Sequence, residues 1–452
     1  MTRSLFRYLA ATLLIIQFTS CSEDAPVVVD TIRGNVFISN QEQLDEFVSQ
    51  NIKTINGDLT ISPISENGTV DISDLSVLDE LDSITGSLII RQTRGLSSLN
   101  GFEGIRFLGG SLFVEYNQDL SSLNGINNLS KAVTVQVLGN PKLQNIDAIG
   151  GLNNVRTLNI SRNTQLTQLT TFSDLTQVSF LVIAGNTQLN SLQGLENIQN
   201  SSEILSILRN PNLKDLSGLN GLTEVALLDI GENINLTDIT ALSGITSAKA
   251  LSITRNTSLR TLSGLENLES IRQGSIDIWD NPVLESLSGL GDELNFVGQA
   301  GFTTRQSASI RIGNNPLLTD LGSIRFRGAL FNQLEFWDMP LVTAVPKFEA
   351  GTAISDLRVE NLDQVVNLAP ILAMDGPVHD LTIINNDLLE NLDGLTGFNS
   401  VSGNFDIGNN EKLTDLCGIS DAILQEVYES YLVVRNAYNP TIDDFKSGNC
   451  SN

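Results

Sequence analysis

Hydrophobic and polar residues follow one short frame that repeats through most of the chain. In each copy an apolar-x-apolar triplet such as Leu251-Ser-Ile253 precedes an Asn, and Leu-x-x-Leu follows that Asn. The Asn recurs mostly every 23 or 24 residues, at Asn117, Asn140, Asn163, Asn186, Asn210, Asn233, Asn256, Asn281, Asn315, Asn386 and Asn410. A fixed period of this length is typical of a solenoid, whose repeats bury their apolar sides only by stacking on their neighbours.

The spacing inside one repeat predicts its local structure. Leu-x-Ile alternates with period 2, which indicates a short strand with one inward side. The Asn is expected to turn the chain, because it tolerates unusual backbone angles and its side chain can satisfy backbone groups. Thr93, Met339 and Leu362 stand at the Asn position in three further repeats. We therefore predict about fourteen turns over residues 57–419, with an irregular earlier turn near Leu59, and a purely structural Asn column.

Both ends of such an array need a different structure, since a terminal repeat has a neighbour on one side only. Residues 32–56 are predicted to form an N-terminal cap, because Ser39 and Glu42 have the spacing of a capping box at the start of a short helix. Residues 420–452 are predicted to form a C-terminal cap with a helix over Asp421–Glu429.

The repeat frame resembles the receptor L-domain, the leucine-rich-repeat-like solenoid of insulin- and EGF-receptor ectodomains. Leu-x-x-Leu-x-Gly-Leu-x-x-Leu followed by Gly-x-Leu-x-Ile carries the resemblance, best at Thr85–Ile90 and Leu108–Val114. The spacing Asn-x-x-Leu, in place of the Asn-x-Leu of ordinary leucine-rich repeats, also favours the L-domain type. The resemblance implies a mostly β, right-handed solenoid. L-domains of receptors bind peptide hormones, but the motif itself names no ligand.

Composition excludes several classes of function. The chain has 26 basic and 52 acidic side chains and a net charge of −26, whereas binding to nucleic acid or to an anionic membrane surface needs clustered basic residues. One His and three Cys leave no ligand set for a structural zinc or an iron–sulfur cluster. We therefore expect no cofactor, no metal and no nucleic-acid partner. The sequence also has no Gly-x-Ser-x-Gly, P-loop or His-Glu-x-x-His motif, which predicts no enzymatic activity.

The first 20 residues have the layout of an export signal, with Arg3 and Arg7 before an apolar run over residues 9–16. That run is too short to span about 30 Å of hydrocarbon. The small residues before Cys21 resemble the lipobox of bacterial lipoproteins, in which this Cys is acylated, although Phe18 departs from the usual Leu.

The resemblance to the lipobox implies a lipoprotein of the Gram-negative outer membrane that contacts the membrane only through its lipid. Residues 21–31 would be its tether, and the acidic pair Glu23-Asp24 favours exposure at the cell surface. The alternative is a secretory signal with an incidental Cys. In either case Cys417 and Cys450 remain, and in an exported chain they are predicted to form a disulfide; the alternative is two buried thiols.

The only two tryptophans fall in one outward column of the predicted strands. Trp279 and Trp337 are two turns apart, with Gly313 between them, so their separation should be about 10 Å. An open floor at Gly313 would suit a sugar ring or a proline-like side chain between the indoles. Asp280 and Asp338 adjoin the pair. A loop inserted over residues 291–309 lies in the same region, and the alternative is that the tryptophans pack beneath it.

The neighbouring outward column places Arg311 between Asp277 and Glu335. Two acids about 10 Å apart could serve an inverting glycosidase, but Arg311 would keep both ionised and leave no general acid. We therefore predict a recognition module that binds a glycan or a protein, with a ligand site formed by Trp279, Trp337, Gly313, Asp280, Asp338 and Arg311. The alternatives are an envelope scaffold without a soluble ligand and, less favoured, a carbohydrate-active enzyme.

Overall fold

The computed structural model describes residues 30–65, 68–272, 274–291, 293–296, 308–321, 325–327, 330–349, 353–371, 374 and 376–452. The predicted export signal, Cys21 and nearly all of the tether lie outside the described residues. So does most of the predicted inserted loop, over residues 297–307.

Short parallel strands make up nearly all regular structure of the described residues. In chain order they are β1 (Thr31–Arg33), β2 (Val36–Ile38), β3 (Thr54–Asn56), β4 (Leu59–Ile61), β5 (Val70–Asp71), β6 (Ser83–Ile84), β7 (Leu88–Arg91), β8 (Thr93–Arg94), β9 (Leu112–Glu115), β10 (Thr134–Leu138), β11 (Thr157–Ser161), β12 (Gln177–Ala184), β13 (Asn200–Leu208), β14 (Glu224–Gly231), β15 (Ser247–Ala248), β16 (Ala250–Thr254), β17 (Ser270–Ile271), β18 (Ser275–Trp279), β19 (Glu293–Phe296), β20 (Ala308–Gly313), β21 (Arg325–Arg327), β22 (Leu330–Trp337), β23 (Lys347–Phe348), β24 (Ala353–Glu360), β25 (Gly376–Val378), β26 (Asp380–Ile384), β27 (Phe398–Val401), β28 (Asn404–Gly408) and β29 (Ser430–Val434). The helices are α1 (Gln41–Ser49), α2 (Ser420–Leu424) and α3 (Ile442–Lys446).

One long parallel sheet runs the length of the solenoid. Within the described ranges its members, in spatial order, are β2, β4, β7, β9, β10, β11, β12, β13, β14, β16, β18, β20, β22, β24, β26, β28 and β29. The alternation in Leu-x-Ile sets which side is buried: in β11, Leu158 and Ile160 are fully buried and Asn159 points outward. The predicted mostly β solenoid is confirmed, with about sixteen turns rather than fourteen, because β2 and β29 add strands at the two ends.

A second, interrupted face closes each turn. It consists of β1–β3–β6, then β15–β17–β19–β21–β23, then β25–β27. The eight-residue β14 pairs with both β15 and β16, so the two faces meet along it. Leu, Ile and Val side chains of both faces fill one continuous core between them.

The Asn side chains form a hydrogen-bonded ladder through this core. Asn233 is fully buried; its Oδ1 accepts from the backbone N–H of Asn210 at 3.0 Å, and its Nδ2 donates to the carbonyl of Ile207 at 2.8 Å. The ladder also extends past the predicted last repeat, because Asn436 Oδ1 accepts from the N–H of Asn410. The predicted structural role of the column is confirmed.

The residue before each Asn makes the corner, so the prediction that the Asn takes the unusual backbone angles was wrong. Glu232 has a φ of 56°, in the left-handed region. The same conformation recurs at Gln92, Tyr116, Arg162, Arg209, Arg255, Asp280, Asn314, Asp338, Asn361, Asn385, Asn409 and Arg435. The left-handed residue turns the chain, and the Asn that follows is thereby directed inward to hydrogen-bond the backbone.

The close stacking of two coils requires a glycine at Gly125. At Gly125, with a φ of 113°, a Cβ would lie 1.8 Å from the carbonyl oxygen of Leu99 in the preceding coil. Any side chain there would separate the two coils.

Both caps contain the predicted helices with altered bounds. α1 is capped by Asn40 rather than Ser39: Asn40 Oδ1 accepts from the N–H of Gln43 at 2.9 Å, and the Ser39 N–H donates to Gln43 Oε1 at 2.7 Å. The Gln43 side chain therefore bonds the residue before the N-cap rather than the N-cap itself, so the predicted reciprocal pair of Ser39 and Glu42 is replaced by two bonds to Gln43. At the other end α2 is shorter than the predicted helix, and α3 was not predicted.

The predicted disulfide is confirmed. Cys417 and Cys450 are bonded, with their Cα atoms 4.9 Å apart, and the bond ties the chain beyond α3 to the last coil. No helix of the described residues has the length and apolarity needed to cross a bilayer.

Candidate functional site

The two tryptophans occupy neighbouring positions along the outward side of β18, β20 and β22. Trp279 pairs in register with Gly313, and Gly313 pairs with Trp337. Both indoles are half-buried. The strand frame therefore places the three residues in one outward column, in the predicted order.

The predicted open floor at Gly313 is wrong, because the indole of Trp337 lies across it. A Cβ on Gly313 would be 2.0 Å from Cδ2 of that ring. An indole is wider than the roughly 4.8 Å between neighbouring strands, so it leans over the neighbour that has no side chain. The same packing occurs near the other end of the sheet, where Tyr116 lies over Gly139.

A guanidinium lies over each indole. Arg255 Cζ is 4.6 Å from the ring centroid of Trp279, and Arg358 Cζ is 5.7 Å from that of Trp337. Such cation–π contacts at exposed sites contribute about 0.5–1 kcal/mol. Both arginines are also ion-paired on the surface, Arg358 with Glu360 through an Nε bond of 2.8 Å. The site is thus an alternation of aromatic and guanidinium groups rather than two bare rings.

Arg311 lies between the two acids, as the sequence predicts. It pairs in register with Asp277 on one side and Glu335 on the other. Its Nε donates to Asp277 Oδ1 at 2.6 Å, and this hydrogen bond, with a further contribution from the charge of Glu335, raises the pKa of Arg311. A carboxylate held by a guanidinium is a poor proton donor, whereas the general acid of a glycosidase must donate a proton.

Asp280 and Asp338 are corner residues beyond the strand ends, both in the left-handed region. Asp280 accepts a hydrogen bond from Arg255 Nε at 3.3 Å and another from Asn314. Asp338 accepts from Asn361. Their carboxylates therefore connect successive coils beside the tryptophans.

An exposed apolar corner on the same coils was missed by the sequence analysis. Leu317 is 42% exposed and Leu341 is 44% exposed, and Val283, half-buried, holds the equivalent position in the preceding coil. Each of the three follows a Pro and lies two residues after the Asn position. Most other coils carry a polar residue there, so the signal was present in the repeat alignment.

The interior of these coils is also irregular. Four phenylalanines pack together under the second face: Phe296 lies 4.9 Å from Phe331 and 5.9 Å from Phe326, and Phe348 lies within 5.8 Å of both. Met339, fully buried, replaces an Asn of the ladder. The alternative that the inserted loop covers the tryptophans concerns residues 297–307, outside the described residues.

Comparison with known proteins supports the L-domain resemblance for part of the chain. The model of the Receptor L domain family matches residues 51–176. A solved structure of the TLR13–ssRNA13 complex is similar over 91% of this chain and 81% of that chain, at 15% identity and a TM-score of 0.25. No curated protein matches the chain.

Proposed function

We propose that the protein is a recognition module of the cell envelope, and that its ligand, a glycan or a protein, binds the outward side of β18, β20 and β22. The observation that carries this proposal is the packing of Trp337, which lies half-buried on Gly313 with Arg358 above it. Indole and guanidinium groups held on a rigid sheet are the groups that contribute most to binding at interfaces.

The surrounding surface fits the same function. Leu317 and Leu341 expose apolar area directly beyond the strand ends, and Arg311 adds a third cation within the column of acids. A ligand that meets this surface gains apolar contact at the corner and hydrogen-bond donors on the strands. Polar hydroxyls of a glycan and acidic or aromatic side chains of a protein both fit these groups.

We further propose that acylation of Cys21 anchors the protein in the outer membrane, facing outward. Each buried CH₂ of an acyl chain contributes about 0.8 kcal/mol, and a lipoprotein carries more than one chain. The anchor proposal rests on the sequence of residues 1–24 alone. Replacing Cys21 with Ser should abolish incorporation of radiolabelled palmitate, and protease added to intact cells should degrade the wild-type protein.

Tryptophan emission tests the ligand site, because the chain has two Trp. Acrylamide quenching is measured first, and the protein is then titrated with pools of polysaccharides and, separately, of proteins. One pool is expected to shift the emission. Trp337→Leu should weaken binding of that pool at least tenfold, which corresponds to about 1.4 kcal/mol. The control is Leu138→Ala, which lies in the same outward column eight coils away.

The other outcomes favour the other functions. If no pool changes the tryptophan emission, the ligand site is refuted and an envelope scaffold is favoured. Release of soluble sugar that disappears in Asp277→Asn would identify a carbohydrate-active enzyme, which the ion pair between Asp277 and Arg311 disfavours.

A further inference from the structure

The last strand of the main sheet, β29, has one free edge. Among the described residues it pairs with β28 alone. Its sequence, Ser-Tyr-Leu-Val-Val, contains no charge and no proline. Edge strands of monomeric proteins are usually protected by Lys, Pro or a bulge, because a free edge of this kind pairs readily with another chain.

The side chains around this edge are unusually exposed. Leu432 is 47% exposed and Val434 is 38% exposed on the outward side. On the inward side Tyr431 and Val433 are half-buried, whereas the corresponding side chains of β28 are fully buried. Val427, just before the strand, is 53% exposed. The end of the solenoid is therefore an apolar surface that the C-terminal cap leaves partly uncovered.

The hydrogen bonds to β28 show which backbone groups remain for a further strand. The N–H of Ser430 donates to the carbonyl of Gly403, and the carbonyl of Val434 accepts from the N–H of Asn409. Both backbone groups of one residue point to the same side of a strand, and the side alternates along it. Ser430, Leu432 and Val434 thus face β28, and the N–H and C=O of Tyr431 and Val433 face the free edge.

We propose that a second copy of this chain pairs antiparallel with β29 about a twofold axis at Leu432. Tyr431 then lies opposite Val433 of the second copy, and the two symmetric pairs form four backbone hydrogen bonds. Leu432 lies opposite its own equivalent on the outward side, where non-hydrogen-bonded pairs bring side chains closest. The two main sheets become one continuous sheet.

The charged residues that flank β29 favour this register over the neighbouring ones. Glu429 and Arg435 flank β29 at equal distances from Leu432, so an axis there places Glu429 of each copy opposite Arg435 of the other. Both residues are exposed, and neither forms an ion pair with another residue that the structure describes. An axis at Tyr431 or at Val433 would also satisfy the free backbone groups. An axis at Tyr431 would place Glu429 opposite Val433, and an axis at Val433 would place Arg435 opposite Tyr431. In both cases the charges would be unpaired.

The net charge of −26 on each copy opposes association at long range. At about 0.15 M salt the Debye length is about 8 Å, so this repulsion is screened over most of the molecule. The contacts at the edge act at much shorter range and are retained. The experiments below therefore use physiological salt.

Sedimentation equilibrium of the full chain carrying Cys21→Ser tests the proposal without a contribution from acyl chains. The protein is expected to form dimers at micromolar concentration. Leu432→Lys should weaken dimerisation at least tenfold, because it places two ammonium groups at the axis. The control is Thr382→Lys, which lies in the same outward column on the interior strand β26. Far-UV circular dichroism checks that each variant is folded.

A charge exchange tests the register independently of folding. Glu429→Arg alone should weaken the dimer severalfold, because it faces Arg435 of the second copy. Adding Arg435→Glu should restore it; a Glu is already accommodated at the same left-handed corner position, at Glu232. A monomeric parent protein, a dimer that survives Leu432→Lys, or a double variant that stays as weak as the single one would each overturn the proposal.

Discussion

Replacing one Asn of the ladder should destabilise the protein far more than replacing an exposed Asn of the same coil. Asn233→Ala removes the acceptor of the Asn210 N–H and the donor to the Ile207 carbonyl, at 3.0 and 2.8 Å. Both groups lie in the core, where water cannot replace the lost partner. A buried polar group left without its partner costs about 1–3 kcal/mol. Two such groups predict a loss of about 2–6 kcal/mol in the free energy of unfolding.

The control for this prediction is Asn235→Ala. Asn235 is exposed, and its Nδ2 donates to the carbonyl of Pro211 at 2.6 Å. Water can take over that carbonyl, so the expected cost is below about 1 kcal/mol. The two variants carry the same chemical change two residues apart, so differences in intrinsic conformational preference are small.

Urea unfolding followed by far-UV circular dichroism measures both variants against the parent protein. The denaturation midpoint should fall clearly for Asn233→Ala and little for Asn235→Ala, with similar slopes of the transitions. Equal midpoints for the two variants would show that the ladder bonds contribute no more than surface bonds, and would refute the structural account of the Asn column. In that case the buried hydrogen bonds would not explain why the Asn recurs mostly every 23 or 24 residues.

Two further predictions concern the site and the C-terminal cap. Gly313→Ala should displace the Trp337 indole, because a methyl group there would lie 2.0 Å from its Cδ2; a changed emission spectrum is expected, and an unchanged one would contradict the packing. Gly408→Ala is the control, since it lies in the same column and its methyl would meet nothing closer than 3.3 Å. Replacing Cys417 and Cys450 with Ser opens a loop of 33 residues, which predicts a loss of about 3–4 kcal/mol on the chain-entropy scale. A thermal unfolding midpoint equal to that of the parent protein would contradict this value.

The sequence predicts the repeating part of the fold because one set of contacts recurs in every coil. Leu158 and Ile160 pack against Leu181 and Ile183 of the next coil in the same register that holds elsewhere. An inward position has two similar neighbours at fixed spacing, so its side chain must remain apolar and of similar size. This packing constraint produces the period of the sequence, and the period alone predicts which residues lie in the outward columns.

The details of the site escaped prediction because they depend on contacts between coils that differ. Trp337 covers Gly313 because the neighbouring strand happens to carry no side chain there, and the rotamer of an indole is not visible in a spacing. The corner conformation was assigned to the Asn, since Asn is common in left-handed turns. The residue types at the true corner, such as Glu232 and Arg255, gave no such signal.

The ladder is broken at Met339, in the coil that carries Trp337, and at Leu362 in the next coil, and this break has a physical connection with the candidate site. At Met339 the apolar side chain cannot accept the hydrogen bond that an Asn would, and its own N–H donates instead to the Asn361 carbonyl. The cluster around Phe331 supplies additional apolar burial in the same coils, which offsets the lost polar contacts. A solenoid under no further constraint would retain the Asn, as the coil before Met339 does at Asn315 and the coil after Leu362 does at Asn386. Local departures from a fold's own rules concentrate where function requires them, and here the interior departs beneath the outward face that carries Trp337.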